Sequence, residues 1–137
     1  MAGGRWNPKG YMVLYATTHL SLACLEKMVH LAAGVMPQKL RYSWADLQSA
    51  PGSSDPDRQH VYRGHDTTAE IGKQWIVHGN ELAASVPSVL IPIEDNVLLN
   101  PIHPDYGELV WKFWKSEPFE WDSRLAELVA RSAKPGS

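Results

Sequence analysis

One carboxylate interrupts an apolar run near the N-terminus, His19-Leu20-Ser21-Leu22-Ala23-Cys24-Leu25-Glu26-Lys27-Met28-Val29-His30-Leu31. Ahead of it, Tyr11-Met12-Val13-Leu14-Tyr15 is a short apolar stretch that predicts a buried strand. Thr17 or Thr18 offers an N-cap, and Leu22, Leu25, Val29 and Ala32 recur at helical spacing. On such a helix Glu26 shares a face with Leu22, Val29 and His30, three and four residues away. The carboxylate must then point at least partly inward, where an unpaired charge costs on the order of several kcal/mol. Strand, helix and some cationic or hydrogen-bonding group have to converge on it. Arg5, in Gly3-Gly4-Arg5-Trp6-Asn7-Pro8 just ahead of the strand, is the candidate that the chain offers.

The 137 residues, 44% of them hydrophobic, suit a single core, so residues 1–137 are read as one domain. A net charge of −2 argues against a phosphate-neutralising surface and so against direct nucleic-acid binding. No run of about eighteen apolar residues is present to span a membrane. The first residues lack a basic segment followed by an apolar one, the mark of a secretory signal. The single cysteine, Cys24, lies within the apolar helix; burial in a reducing cytoplasm is its expected state.

Further along, Gly34 and Pro37 should stop the first helix, and Leu40-Arg41-Tyr42-Ser43-Trp44 reads as a second strand. Residues 50–57 form a loop by composition, able to border a cleft. Asp66 or Thr67 can cap a helix running through Trp75 and His78 to Gly79-Asn80. Residues 86–93 and 97–99 are apolar runs separated by Glu94-Asp95-Asn96, as in a hairpin, with Pro87 and Pro92 at strand starts or edges. A short helix over 106–114 and a closing strand near 119–121 complete an α+β domain.

The stretch Gly3-Gly4-Arg5-Trp6-Asn7-Pro8-x-Gly10, then Val13-Leu14-Tyr15 and Leu25-Glu26, resembles the opening of the RES-domain toxins of bacterial toxin–antitoxin pairs. The resemblance continues at Gly72-x-x-Trp75, at Val86-Pro87-Ser88, and through Glu94-x-Asn96-x-Leu98-Leu99-Asn100-Pro101-x-His103-Pro104. It reaches Pro118-Phe119-x-Trp121-Asp122-x-Arg124-Leu125, keeping its order over nearly the whole chain. It implies an ADP-ribosyltransferase-like fold, a small mixed β-sheet flanked by helices. It further implies NAD as substrate, no metal, and a toxic activity that cleaves the nicotinamide–ribose bond and depletes NAD. The implied partner is a helix-turn-helix antitoxin of the Xre type within a hetero-oligomeric, cytoplasmic complex; the partner, not this chain, would bind DNA. RES domains usually carry a further segment, with a strand, before the Gly-Gly-Arg-Trp motif, whereas Met1-Ala2 leads straight into it here. The alternative expectation is therefore a truncated, inactive domain that only binds its antitoxin.

The family match makes Arg5, Tyr15 and Glu26 active-site residues, and each residue type suits a task. A carboxylate stabilises the positive charge that develops on ribose as the glycosidic bond breaks. A guanidinium that follows two glycines can grip a diphosphate bidentately. A tyrosine ring can stack on nicotinamide with its hydroxyl at the wet edge. Ser88, matching the family serine, is expected to contact NAD; read without the family, it bonds backbone across a sheet. No Gly-x-Ser-x-Gly elbow surrounds it, which excludes a hydrolase triad of that type. Asn96, Asn100 and His103 read as turn residues that satisfy local backbone groups. The six histidines show no zinc-type spacing with one another or with Cys24, so no metal is expected. Trp111 and Trp114, three apart on one helix face, are the candidate protein contact.

Overall fold

The computed structural model describes residues 2–31, 36–48, 51–53 and 64–132. In chain order these form β1 (Leu14–Thr17), α1 (Leu20–Met28), β2 (Leu40–Trp44), β3 (Gly52–Ser53), α2 (His65–His78), β4 (Ala83–Pro87) and β5 (Asp95–Leu99). A single turn, α3 (Tyr106–Glu108), passes into a π-helical turn (Leu109–Phe113), then β6 (Lys115–Phe119) and α4 (Ser123–Ser132). The α+β expectation holds. The larger sheet has the order β1-β5-β4-β3, and β2 pairs with β6 in a separate two-stranded ribbon.

β5 is central. It runs antiparallel to β1, with Tyr15 opposite Leu98 and Thr17 opposite Asn96, and antiparallel to β4, with Val86 opposite Asn96. Because side chains alternate along a strand, the sheet has two distinct faces. Leu98 and Val86 meet Trp6 on one face, together with Val13 and with Ile71 and Trp75 of α2. Val97, Leu99 and Ala83 meet Leu109 on the other, with Leu14, Tyr106, Phe113 and Trp114 around them. One sheet thus separates two small cores.

α2 buries Thr68, Ala69, Gly72 and Ile76, the stripe expected of a helix lying on a sheet. Gly72 has a specific reason to be glycine. A Cβ built there would fall onto the carbonyl oxygen of Trp6, far inside van der Waals contact, with Trp6 backbone its three nearest neighbours. Trp6 itself is 2% exposed. Gly79 ends α2 in the left-handed conformation at φ 64°, its N–H donating to the Trp75 carbonyl, as its place after His78 predicts.

Several boundaries differ from expectation. β2 matches its prediction, but β1 begins at Leu14 rather than Tyr11. α1 starts after His19, not after Thr17 or Thr18, because the Thr17 hydroxyl donates to the His19 carbonyl instead of capping. It ends at Met28, ahead of Gly34, which lies outside the described residues. Leu25 and Val29 are exposed and Leu22 is buried, so α1 is rotated to turn Glu26 inward at the expense of the predicted stripe. α2 begins at His65 behind Gly64, so neither Asp66 nor Thr67 caps it. β4 spans 83–87 rather than 86–93, which moves Ser88 out of the strand and into the β4–β5 connection. Within the predicted loop over 50–57, Gly52 and Ser53 pair in parallel with Ala84 and Ser85, and residues 50 and 54–57 lie outside the described residues. The closing strand is earlier than expected, and α4 after it was not read from sequence at all. Trp111 and Trp114 do not share an exposed face. Trp111 is 89% exposed, whereas Trp114 turns into the second core because its backbone has left the helix, at ψ 123°.

The Trp6–Gly72 contact generates the first prediction. Glycine to alanine in an open helix interior stabilises by up to about 1 kcal/mol. Gly72→Ala should reverse that sign, costing about 1–3 kcal/mol or more through overpacking against a carbonyl that cannot move away. Urea denaturation followed by far-ultraviolet circular dichroism measures it; a midpoint equal to or above the parent's would contradict the packing described.

Candidate active site

Arg5, Tyr15 and Glu26 line one cleft of about 700 Å³, together with Trp6, Thr17, Lys27, His30, His65 and Asn96. Strands β1, β4 and β5, helices α1 and α2 and one turn contribute to it. The Gly4–Asn7 turn closes through reciprocal backbone hydrogen bonds, Gly4 N–H to the Asn7 carbonyl at 2.9 Å and Asn7 N–H to the Gly4 carbonyl at 3.4 Å. Trp6 anchors this turn in the core, and the Thr68 hydroxyl of α2 donates to the Arg5 carbonyl. Arg5 is thereby held by its own main chain at the cleft. A Cβ on Gly4 would lie 2.6 Å from the Tyr15 hydroxyl oxygen, so the turn needs glycine for close approach.

Tyr15 ties strand to turn. Its hydroxyl accepts the Trp6 backbone N–H at 3.0 Å and donates to Asn7 Oδ1, while Asn7 Nδ2 donates to the Tyr11 carbonyl at 2.7 Å. The hydroxyl therefore faces the turn, not the wet edge of the cleft, while 43% of the residue stays exposed. Burial raises the Tyr15 pKa above its ordinary 10.0, against smaller lowering effects from the Trp6 N–H and the Arg5 charge. The phenol is neutral at physiological pH and serves as a brace. Its ring remains for stacking.

Glu26 is met by two neutral donors. Ser88 Oγ donates to Glu26 Oε1 at 2.9 Å, and Asn96 Nδ2 donates to the same oxygen at 2.9 Å. The need for an inward partner is thus supplied by hydrogen bonds from the β4–β5 connection and from β5. Ser88 departs from the expected substrate contact. It is 0% exposed, and its Oγ also accepts the N–H groups of Leu90 at 3.1 Å and Ile91 at 3.2 Å. With one proton given and two lone pairs taken, the hydroxyl has nothing left to offer a ligand. It lies beneath the cleft and bears on Glu26.

Asn96 departs from its turn reading: it sits within β5 with its amide on Glu26. Asn100 and His103 do act at the turn, Asn100 Oδ1 accepting the Ile102 N–H and His103 Nδ1 the Asp105 N–H. Asn7 and Thr68 were not singled out from the sequence, and neither were the cleft residues Lys27, His30 and His65. Asn7 had one signal, its place in the Gly-Gly-Arg-Trp-Asn run. The others had none, because only the packing of α1 and α2 brings them to Arg5. Among the described residues, no group of three His, Cys, Asp or Glu side chains is placed to hold a metal ion. Cys24 is half-buried, and burial pushes its thiol above the usual value, which favours the protonated form.

The RES domain family model matches residues 1–122. A protein of Sphingobium sp. named Prs ADP-ribosylating toxin is 34% identical over 114 residues, covering 77% of this chain and 70% of that protein. A Toxin Res of Photorhabdus laumondii is 30% identical over 138 residues, covering 91% and 83% respectively. A Toxin Res of Yersinia enterocolitica is 31% identical over 109 residues, covering 76% and 72%.

The tyrosine brace yields a prediction on stability. Tyr15→Phe leaves the Trp6 N–H and Asn7 Oδ1 without their partner, a loss of about 1–3 kcal/mol by the usual cost of orphaned polar groups. A raised pKa also links folding to pH. The unfolded tyrosine ionises first, so its contribution is complete below the ordinary value of 10.0 and is lost as pH climbs through the higher folded value. Thermal midpoints between pH 8 and pH 11 should fall more steeply for the parent chain than for Tyr15→Phe. Parallel curves would remove the brace.

Proposed function

Since this chain belongs to the RES domain family, we propose that it is a toxin that breaks the nicotinamide–ribose bond of NAD. The observation that carries the reading is a carboxylate fixed on one oxygen by two neutral donors, in a cleft it shares with Arg5 and Tyr15. An ADP-ribosylating toxin among its relatives supports the same bond cleavage.

In this reading Arg5, Tyr15 and Glu26 are the catalytic residues. The bond between the ribose anomeric carbon and the nicotinamide nitrogen breaks, and its electron pair neutralises the pyridinium. The ribose left behind carries oxocarbenium character, which the Glu26 charge stabilises. A nucleophile then bonds the anomeric carbon and gives up its proton. Water, inorganic phosphate and a protein side chain all satisfy that balance. Arg5, with Lys27 lining the same cleft, binds the diphosphate, and the exposed part of the Tyr15 ring supports nicotinamide. Ser88 serves this chemistry through Glu26. Residues 1–137 act as one RES unit in the cytoplasm, where NAD depletion arrests growth. An Xre-type antitoxin that closes the cleft is the partner, and it is the component of the complex that binds DNA.

Purified protein incubated with NAD should release nicotinamide and an ADP-ribosyl product, resolved by chromatography. NAD left intact by a correctly folded chain would refute the reading. Glu26→Gln preserves size and removes the charge. It should cut turnover by about a hundred- to a thousandfold, equivalent to about 2.7–4 kcal/mol of lost transition-state stabilisation. The thermal midpoint should hold or rise, because an inward charge no longer has to be desolvated. Arg5→Ala should instead raise KM for NAD. Unchanged turnover in Glu26→Gln, or a collapsed midpoint, would make Glu26 a structural residue.

A further inference from the structure

We propose that Asn96 is a positioning residue that sets the orientation of the Glu26 carboxylate toward substrate; the proposal rests on the NAD-cleaving reading of the cleft. Four observations converge on it. Asn96 occupies the second position of β5, a strand hydrogen-bonded on both sides, with Thr17 of β1 and Val86 of β4 directly opposite. Its backbone is therefore fixed by the most constrained strand in the fold. Glu26, by contrast, rides on a nine-residue helix whose Leu20 and Leu25 face solvent. In the pair, the strand residue is the one that can impose a geometry on the other.

The second observation is the shared oxygen. Ser88 and Asn96 both donate to Oε1, and among the described residues no hydrogen bond reaches Oε2. Two donors on one oxygen define the plane of the carboxylate and leave the other oxygen for the cleft. Third, Asn96 lines the cleft beside Glu26, whereas Ser88 is sealed beneath it. The serine hydroxyl is also committed to the Leu90 and Ile91 N–H groups, whereas, among the described residues, the amide bonds Glu26 alone. Only its NH₂ end suits a carboxylate oxygen, which also fixes which way the amide points.

Fourth, Asn96 works against the fold. Its Oδ1 is buried and, among the described residues, lacks a hydrogen-bond partner, and asparagine is disfavoured in strands. A purely structural position between Thr17 and Val86 would be filled better by a β-branched residue. The unmet acceptor is the cost of placing a donor where Glu26 needs it, the pattern expected where a site overrides local preference.

Asn96→Val is the decisive substitution, since it deletes donor and orphaned acceptor together and favours the strand. Its thermal midpoint should equal or exceed the parent's. Nicotinamide release should show kcat lowered about a hundredfold, the loss typical of a reacting group displaced by about 1 Å, with KM for NAD within about twofold. Asn96→Asp, of nearly the same shape, sets a second carboxylate against Oε1 and should lose at least as much. In a Glu26→Gln background, Asn96→Val should lower kcat no further, because Asn96 acts only through that carboxylate. An equal loss in both backgrounds, a change confined to KM, or undiminished kcat would overturn the proposal. Should the parent chain release no nicotinamide, the NAD reading fails by itself and nuclear magnetic resonance decides the contact. The side-chain amide resonances of Asn96 must move on Glu26→Gln substitution, and resonances that stay in place would end the proposal.

Discussion

Everything at the cleft depends on a backbone contact with no room for a side chain: the Trp6 carbonyl against Gly72. Trp6 is the largest side chain fully enclosed, packed with Val86 and Leu98. Burying an aromatic of that size drives the first residues onto the sheet. The direction of approach then brings the Trp6 carbonyl onto α2, where only glycine leaves space. Thr68, one turn earlier on the same helix face, takes the Arg5 carbonyl. Two consecutive residues of the N-terminal turn are therefore registered against one helix. Arg5 owes its place at the cleft to that register, not to the local conformation of its own glycines.

The Glu26 environment is a compromise between holding a charge and keeping it usable. Pairing the carboxylate with a cation would satisfy it well and would also cancel the field it casts into the cleft. Hydrogen bonds from a hydroxyl and an amide hold it while leaving its net charge intact. For the proposed reaction, that arrangement suits a cation that exists only as a bond breaks, and donors fixed beforehand need no rearrangement during it.

Tyr15 illustrates how a strand and a turn that are nine residues apart become one rigid body. Its hydroxyl gives to Asn7 and takes from Trp6, so β1 cannot move relative to the Arg5 turn without breaking both bonds. Arg5 from the turn, Tyr15 from β1 and Glu26 from α1 are consequently linked through the same sheet that carries Asn96. The opposite face of that sheet packs Leu109, Phe113 and Trp114, none of which lines the cleft. A perturbation there would reach the site through β1, β4 and β5, whose Leu14, Ala83, Val97 and Leu99 pack on that face.

The sequence by itself determined that a carboxylate would point inward after a short strand, that Leu40–Trp44 would be a strand, and that Gly79 would end a helix. Those features follow from local spacing and from the conformational freedom of glycine, which a chain carries in any fold. Motif order added the family, with Arg5, Tyr15 and Glu26 as one group, and the cleft does gather them. What the spacing of residues could not hold was rotation and register. The turn of α1 that exposes Leu25 and buries the Glu26 face, and the shift of β4 that moves Ser88 beneath the cleft, are settled by long-range partners. Asn96 looked like a turn residue because asparagine satisfies backbone locally; only its pairing with Thr17 and Val86 placed the amide on Glu26. The amphipathic α4 follows a run of aromatic and proline residues and was masked by them. The tertiary structure alone decided which polar groups meet, because hydrogen bonds between residues 62 and 70 positions apart leave no trace in local pattern.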